Sequence, residues 1–151
     1  MSTERFLSEV SKLKVVVYPH KSDIFPKDTN RIEFTGKSQD EKEGPTIVNF
    51  SFSKSLGSLS GNWQFTFKPG TNKDLNWNER IFDDDWVTLE IIRNGNPFAL
   101  TIGLVDTVRR NKSVINGATS ESWTVTGRDL GKVYEESQIW FTQYPGRFVD
   151  V

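Results

Sequence analysis

The chain has 151 residues, a formal net charge of −1 at pH 7 and no cysteine. This length suits one domain with a single core. The lack of cysteine excludes disulfides, thiolate metal sites and cysteine nucleophiles. A net charge near zero gives no general attraction to nucleic-acid phosphates or anionic lipids, and no segment approaches the roughly 20 apolar residues that span a bilayer. We therefore expect a soluble protein made in the cytoplasm, with no membrane association and no specific nucleic-acid partner.

The chain begins with a mixed, polar segment, 1–12, which we interpret as an N-terminal arm ahead of one β domain over 13–151. The β-branched run from Leu13 to Tyr18 predicts a strand. Pro19 closes this run, because proline disfavours a helix before it and cannot donate a hydrogen bond into a sheet. After a short apolar and polar stretch at 31–35, the polar segment 36–44 predicts a solvated loop.

Two aromatic segments alternate apolar with polar residues, as half-buried strands do, because successive side chains of a strand point to opposite faces. Their apolar positions are Val48, Phe50 and Phe52 in the first segment and Trp63, Phe65 and Phe67 in the second. The following segment, 68–85, is rich in Asn and Asp and contains Pro69-Gly70, so it predicts a long loop between strands.

The strongest local signal is a hairpin in the second half of the chain. Alternating strands are predicted over 86–93 and 98–104, and the connector between them contains Asn94-Gly95, a pair suited to a tight reversal. A second connector, 111–119, contains Asn116-Gly117 and leads to a strand over 121–126, which extends the hairpin into a meander. The basic run of Arg109, Arg110 and Lys112 then flanks a solvated turn.

The end of the chain predicts one short helix near 129–137, capped by Asp129, and a final strand over 148–151. Taken together, the elements predict a mainly β fold, either an antiparallel sandwich or a partly open barrel. Such a domain is expected to use its loops and strand edges for contacts.

The sequence offers little for catalysis. His20 is the single histidine, and no serine stands in the strand-to-helix context of a nucleophile elbow. The Asp83-Asp84-Asp85 cluster could bind calcium, but it lacks the alternating spacing and central glycine of a calcium loop, so we interpret it as a solvated turn. No phosphate-binding glycine loop is present. We therefore predict no enzyme activity, no cofactor and no metal.

The stretch from about Thr46 to Phe141 resembles the tube-like β domain of baseplate hub proteins from contractile phage tails and related injection machines. The likeness begins with the aromatic strand 63–67 and the acidic start of the next strand, Asp84-Asp85-Trp86-Val87. A strand ending in Val105-Asp106-Thr107-Val108 then leads to the most specific piece, Thr124-Val-Thr-Gly-Arg-Asp-Leu130. This last segment is similar to the strand, Gly-Arg-Asp corner and helix of the hub family.

The resemblance implies a structural component of the virion, with no catalysis. Hub subunits form a trimeric ring that continues the tail tube and adapts it to the central spike, so the implied partners are further copies of the chain and the tail tube, spike and baseplate proteins. Hubs usually carry further domains beyond this one. The candidate assembly or corner residues are Trp77, Asp84, Asp85, Gly127, Arg128 and Asp129. Gly127 is expected to provide a sharp transition from strand to helix, and Arg128 and Asp129 to form ion pairs locally or across subunits.

The main alternative is a carbohydrate-binding β-sandwich, because an exposed tryptophan ring can stack on a sugar. Trp77 is the candidate ring, since it lies in the long polar segment, although it could equally plug a groove between subunits. A peptidoglycan-cleaving enzyme is a third hypothesis, and no convincing catalytic pair of carboxylates supports it.

Overall fold

The computed structural model describes residues 12–19, 31–36, 44–70 and 76–137, and these form a mainly β structure. The strands are β1 (Lys12–Tyr18), β2 (Ile32–Gly36), β3 (Thr46–Ser53), β4 (Asn62–Lys68), β5 (Trp86–Arg93), β6 (Asn96–Ile115) and β7 (Ala118–Asp129). A 3-10 turn spans Trp77–Glu79, and the helix α1 spans Gly131–Glu136. No helix in the described ranges is long and apolar enough to cross a membrane.

The seven strands close into a barrel in the order β1-β2-β3-β4-β7-β6-β5. Closure is made by β1 and β5, which pair antiparallel from Lys12 opposite Ile92 to Tyr18 opposite Trp86. The expectation of a mainly β fold is confirmed, but its finer form, an antiparallel sandwich or partly open barrel, is wrong because the barrel is closed. It is also wrong in strand direction, because β2 and β3 pair in parallel at Thr35 and Thr46. Closure lets the backbone amides and carbonyls of β1 and β5 pair with each other, whereas the same groups would be unpaired in an open sheet.

The barrel interior is filled by the alternating apolar residues of its strands. Aromatic rings from three elements meet there, with the ring centroid of Phe34 lying 4.7 Å from that of Phe67 and 5.6 Å from that of Trp77. Val15, Val17, Phe65, Val87, Leu89, Val105 and Val125 complete much of this core. The parity predicted for the aromatic strand β4 is confirmed, because Trp63, Phe65 and Phe67 are all buried.

The two predicted reversals are confirmed. Asn94 and Gly95, and likewise Asn116 and Gly117, all have positive φ, the backbone conformation of a tight hairpin turn. The short helix is also confirmed, since α1 lies within 129–137. The predicted final strand over 148–151 and residues 1–11 of the predicted N-terminal arm lie outside the described residues.

The second hairpin is longer than predicted, because residues 111–115 continue β6 and do not form a connector. Pairing of β5 with β6 ends at Leu104, and pairing of β4 with β7 starts at Trp123. Residues 111–122 therefore project as a two-stranded ribbon, here called the arm. The arm lies largely outside the barrel and buries little of either face. Its residues are therefore mostly polar, which is why the sequence predicted a loop there.

Gly127 of β7 packs so closely against its neighbours that we expect a larger residue at this position to destabilise the protein. A Cβ there would lie 2.2 Å from Trp63 Cζ2 and 2.2 Å from the carbonyl oxygen of Leu104. We expect Gly127→Ala to lower the free energy of unfolding by at least about 2 kcal/mol, measured by chemical denaturation. Gly36→Ala is the matched control, because nothing lies within 4 Å of its added Cβ. Equal stability of the two variants would contradict the packing described.

Candidate functional site

A network of charged side chains joins four elements of the fold where β7 ends and α1 begins. β6 contributes Asp106 at a register shift in its pairing with β7, and β7 contributes Arg128. Helix α1 contributes Lys132, Glu135 and Glu136. The turn before β5 adds two aspartates. Pairing of the strands thus places the charges of distant sequence segments next to one another.

Lys132 is the centre of this network and the most unusual residue in it. Its side chain is only 3% exposed, yet it carries an ammonium group. Its Nζ lies 2.6 Å from Asp84 Oδ1, 2.9 Å from Asp106 Oδ1 and 3.1 Å from Asp83 Oδ1, and it donates to the carbonyl of Val105. Burial alone would lower the pKa of Lys132, but the hydrogen bonds to the three carboxylates outweigh burial and raise it. Lys132 is therefore charged at any physiological pH.

Arg128 holds the same helix from the strand side. Its guanidinium forms two hydrogen bonds of 2.9 Å to the carboxylate of Asp106, the fork geometry that arginine and carboxylate favour. It also donates to Glu135 at 2.8 Å and contacts Glu136. Burial opposes the ionised form of Asp106, but its bonds to Arg128 and Lys132 prevail and lower its pKa. Asp106 therefore links both cations.

Asp129 fixes the start of α1 and the loop after β3. Its Oδ1 accepts a hydrogen bond from the amide of Gly131, the first residue of the helix, at 2.9 Å, and its Oδ2 pairs with Lys54 at 2.6 Å. The backbone amide of Asp129 donates to the carbonyl of Gly61. Ser60 in the same loop donates to Glu135 at 2.7 Å. The loop and the helix are thus held together by direct polar contacts.

The turn at 83–85 is more ordered than the predicted solvated turn. Asp85 is fully buried and accepts a hydrogen bond from the amide of Phe82 at 2.7 Å. Asp84 adopts a φ of 64°, and its amide donates to the carbonyl of Val105, whose own amide donates to the carbonyl of Asp85. Asp83 and Asp84 remain about half or more exposed but bind Lys132. Within the part of the chain that is described, no group of acidic or histidine side chains is arranged to hold a metal ion.

Five of the six candidate residues therefore lie around the C-terminal end of β7 and the middle of β6, with two corrections. Gly127 lies inside β7 and does not have a positive φ, so its role is to admit the Trp63 ring rather than to turn the chain. Trp77 is 2% exposed and packs against Phe34 and Phe67, so it is a core residue and not an exposed ring. A bulky aromatic in a polar segment is buried here because its 3-10 turn folds it onto the barrel.

Sequence reasoning missed Asp106, Lys132, Glu135 and Glu136. A signal for part of this set exists, because Lys132 precedes Glu135 and Glu136 by the spacing of neighbouring positions on a helix, whereas Arg128 belongs to β7. Asp106 gives no such signal, since its partners lie more than 20 residues away. The ion pairs of the network tie α1 to β6, to the end of β7 and to the turn before β5, and so fix the position of the helix. No protein-family model matches the chain, and no curated protein matches it.

Replacing Lys132 should test this network. Lys132→Met keeps the length of the side chain but leaves three carboxylates without their shared cation, so we expect a loss of about 1–3 kcal/mol in the free energy of unfolding. Lys68→Met at an exposed position of β4 is the control, with an expected change within about 0.5 kcal/mol. Denaturant titrations of the two variants would measure both values. A loss no larger than that of the control would mean that the network contributes nothing to stability.

The lowered pKa values of Asp106 and Asp129 predict acid sensitivity. For Asp129 burial opposes ionisation, and the bonds from Lys54 and from the amides of Gly61 and Gly131 outweigh it. A carboxyl group whose pKa is lowered by folding stabilises the protein above its ordinary value of 3.8, and this contribution disappears as pH falls through the lowered pKa. Stability should thus fall below about pH 4, and less steeply in Asp106→Asn. Unfolding curves at a series of pH values would measure this, and identical slopes would contradict it.

Proposed function

We propose that the chain is a structural subunit of a phage-tail baseplate, a hub or tube adaptor that assembles into a ring between the tail tube and the central spike. Its place of action is then the virion. The resemblance stated for Thr46 to Phe141 supports this proposal, and three copies per ring follow from that resemblance. The role proposed is assembly, without a chemical step.

The observation that carries the proposal is the arm. Its two strands pair with each other, and no described strand pairs with either outer edge of residues 111–122. Val114 and Ile115 near its tip are 70% and 64% exposed. A two-stranded ribbon alone is marginal in water, and exposed strand edges invite pairing with another chain. An assembly subunit would have a use for such a projection, because its function is to contact neighbours.

The filled interior of the barrel gives a second line of support. Core aromatic and aliphatic residues fill the interior, so the closed sheet is a rigid scaffold rather than a container for a ligand. A cleft of about 220 Å³ lies where β2 meets β3, lined by Glu33, Thr35, Gly44, Pro45 and Thr46. Ligand sites usually span about 300–1,000 Å³ and are mostly apolar, which this cleft is not. A rigid scaffold suits a ring, in which each subunit must hold its contact surfaces at fixed angles.

The carbohydrate-binding alternative relied on an exposed ring of Trp77, and that ring is not exposed. Trp77 lies in the core, and Trp63 and Trp123 are buried as well. Trp86 is half-buried, and Trp140 lies outside the described residues. No specific observation favours sugar binding over assembly, so we retain assembly as the proposal.

The proposal predicts that the purified chain forms a ring-sized assembly, alone or when tail tube and spike proteins are added. Light scattering across a concentration series would give the mass, and electron microscopy of the same samples would show whether the particles are rings. An unrelated protein added at the same concentrations controls for nonspecific association. A strict monomer that ignores tail proteins would contradict the proposal, and glycan binding by such a monomer would favour the alternative.

A further inference from the structure

The exposed surface contains two regions of complementary chemistry. The first is the arm with its base, where apolar Val114 and Ile115 accompany the cations of Arg109, Arg110 and Lys112. Glu121 is the only acidic residue of this region, and it is already bound by Arg110 through two hydrogen bonds of 2.9 and 2.8 Å. The region therefore presents apolar side chains with an excess of positive charge.

The second region is here called the helix face, and it consists of α1 with Leu130 and the turn at 83–84. Leu130, Val133 and Tyr134 are exposed, with Tyr134 at 69%. Five carboxylates adjoin them and outnumber the two cations, Arg128 and Lys132, that hold the network together. The helix face therefore presents apolar side chains with an excess of negative charge.

The two regions lie at opposite ends of one hairpin. Asp106 and the turn at Asn116-Gly117 are ten residues apart along β6, which corresponds to about 33 Å of extended strand. Pairing with β7 from Arg109 to Ile115 keeps this ribbon extended, so the arm does not fold back onto its own helix face. A helix face that contacts the arm would therefore belong to another copy.

We propose that the arm of one copy docks on the helix face of the next. Apolar side chains would meet at the centre of the contact, and the basic residues of the arm would face the surplus carboxylates of the helix face. Because the two surfaces differ, the contact is head-to-tail, and its repetition closes a ring when the rotation per subunit allows. The inference rests on the proposed ring assembly and specifies which surfaces build it.

A pair of variants tests the contact through complementation. The arm variant, Arg109→Glu with Lys112→Glu, reverses two charges and keeps the helix face intact. The face variant, Val133→Lys with Tyr134→Lys, places cations on the helix face, keeps the arm intact and leaves the charged side chains of the network unchanged. Each alone should weaken self-association at least about tenfold, because like charges would then oppose each other across the contact. Mixed together they should form a 1:1 dimer, since one intact arm and one intact helix face remain.

Lys68→Glu is the matched control, a charge reversal at an exposed position outside both regions. Sedimentation velocity would measure association, and circular dichroism with tryptophan fluorescence would check that each variant is folded. If a charge variant fails to fold, Val114→Ser with Ile115→Ser removes the apolar tip of the arm, and Tyr134→Ser removes the most exposed ring of the helix face.

The outcomes separate the two proposals. An assembly that both variants leave intact would overturn the arm contact while the ring proposal stands. Loss of assembly in both variants without complementation would overturn the head-to-tail arrangement, and so would arm-dependent capture of a tail protein in place of a second copy. A wild-type chain that stays monomeric with and without tail proteins would overturn both proposals.

Discussion

The position of Trp63 determines how the barrel and the charged network fit together. Its indole lies against Gly103 of β6 and Gly127 of β7, at positions where a methyl group on either glycine would overlap the ring. Its Nε1 donates to the carbonyl of Arg128 at 3.0 Å. One buried side chain thus connects the core to the strand end that carries Arg128. Since Arg128 holds α1, the core packing also sets the position of the helix.

A buried ammonium group is costly unless nearby charges compensate for it. Lys132 meets this requirement with three carboxylates from two separate segments, and Asp106 shares its charge between Lys132 and Arg128. Apolar residues could have packed α1 with less desolvation, so the network is weak evidence for stability as such. The network does specify the position of α1, because its ion pairs and hydrogen bonds are satisfied in one placement of the helix. A fixed placement of the helix face is what the proposed contact with the arm would require.

The sequence predicted what depends on neighbouring residues. Alternation identified β4 and the two strands of the first hairpin, Asn-Gly pairs identified both reversals, and helical spacing identified α1. Closure of the barrel depends on β1 pairing with β5, from Lys12 opposite Ile92 to Tyr18 opposite Trp86, and no local pattern encodes a pairing so distant in sequence. For the same reason the sequence did not predict the role of Lys132. Its sequence position is typical of a solvated helical residue, and Asp83, Asp84 and Asp106 come close to it only in the folded chain. The prediction for Trp77 was wrong because it relied on local sequence. Its polar neighbours suggested an exposed ring, whereas the large apolar area of the ring itself determined that it is buried.

Closure also changes where the contacts of the proposed assembly would lie. In an open meander the outer strands would have free edges along their whole length, and pairing at those edges would give a contact of poorly defined register. In this barrel β1 and β5 pair with each other, and among the described residues both outer edges of the arm stay unpaired, as does the edge of β3 beyond Ile47 that faces β2. A contact restricted to a short arm would have few possible registers, and in the proposed assembly its charges would select the partner surface. The closed barrel therefore leaves fewer strand edges unpaired than an open meander would, and the proposed assembly would use those of the arm.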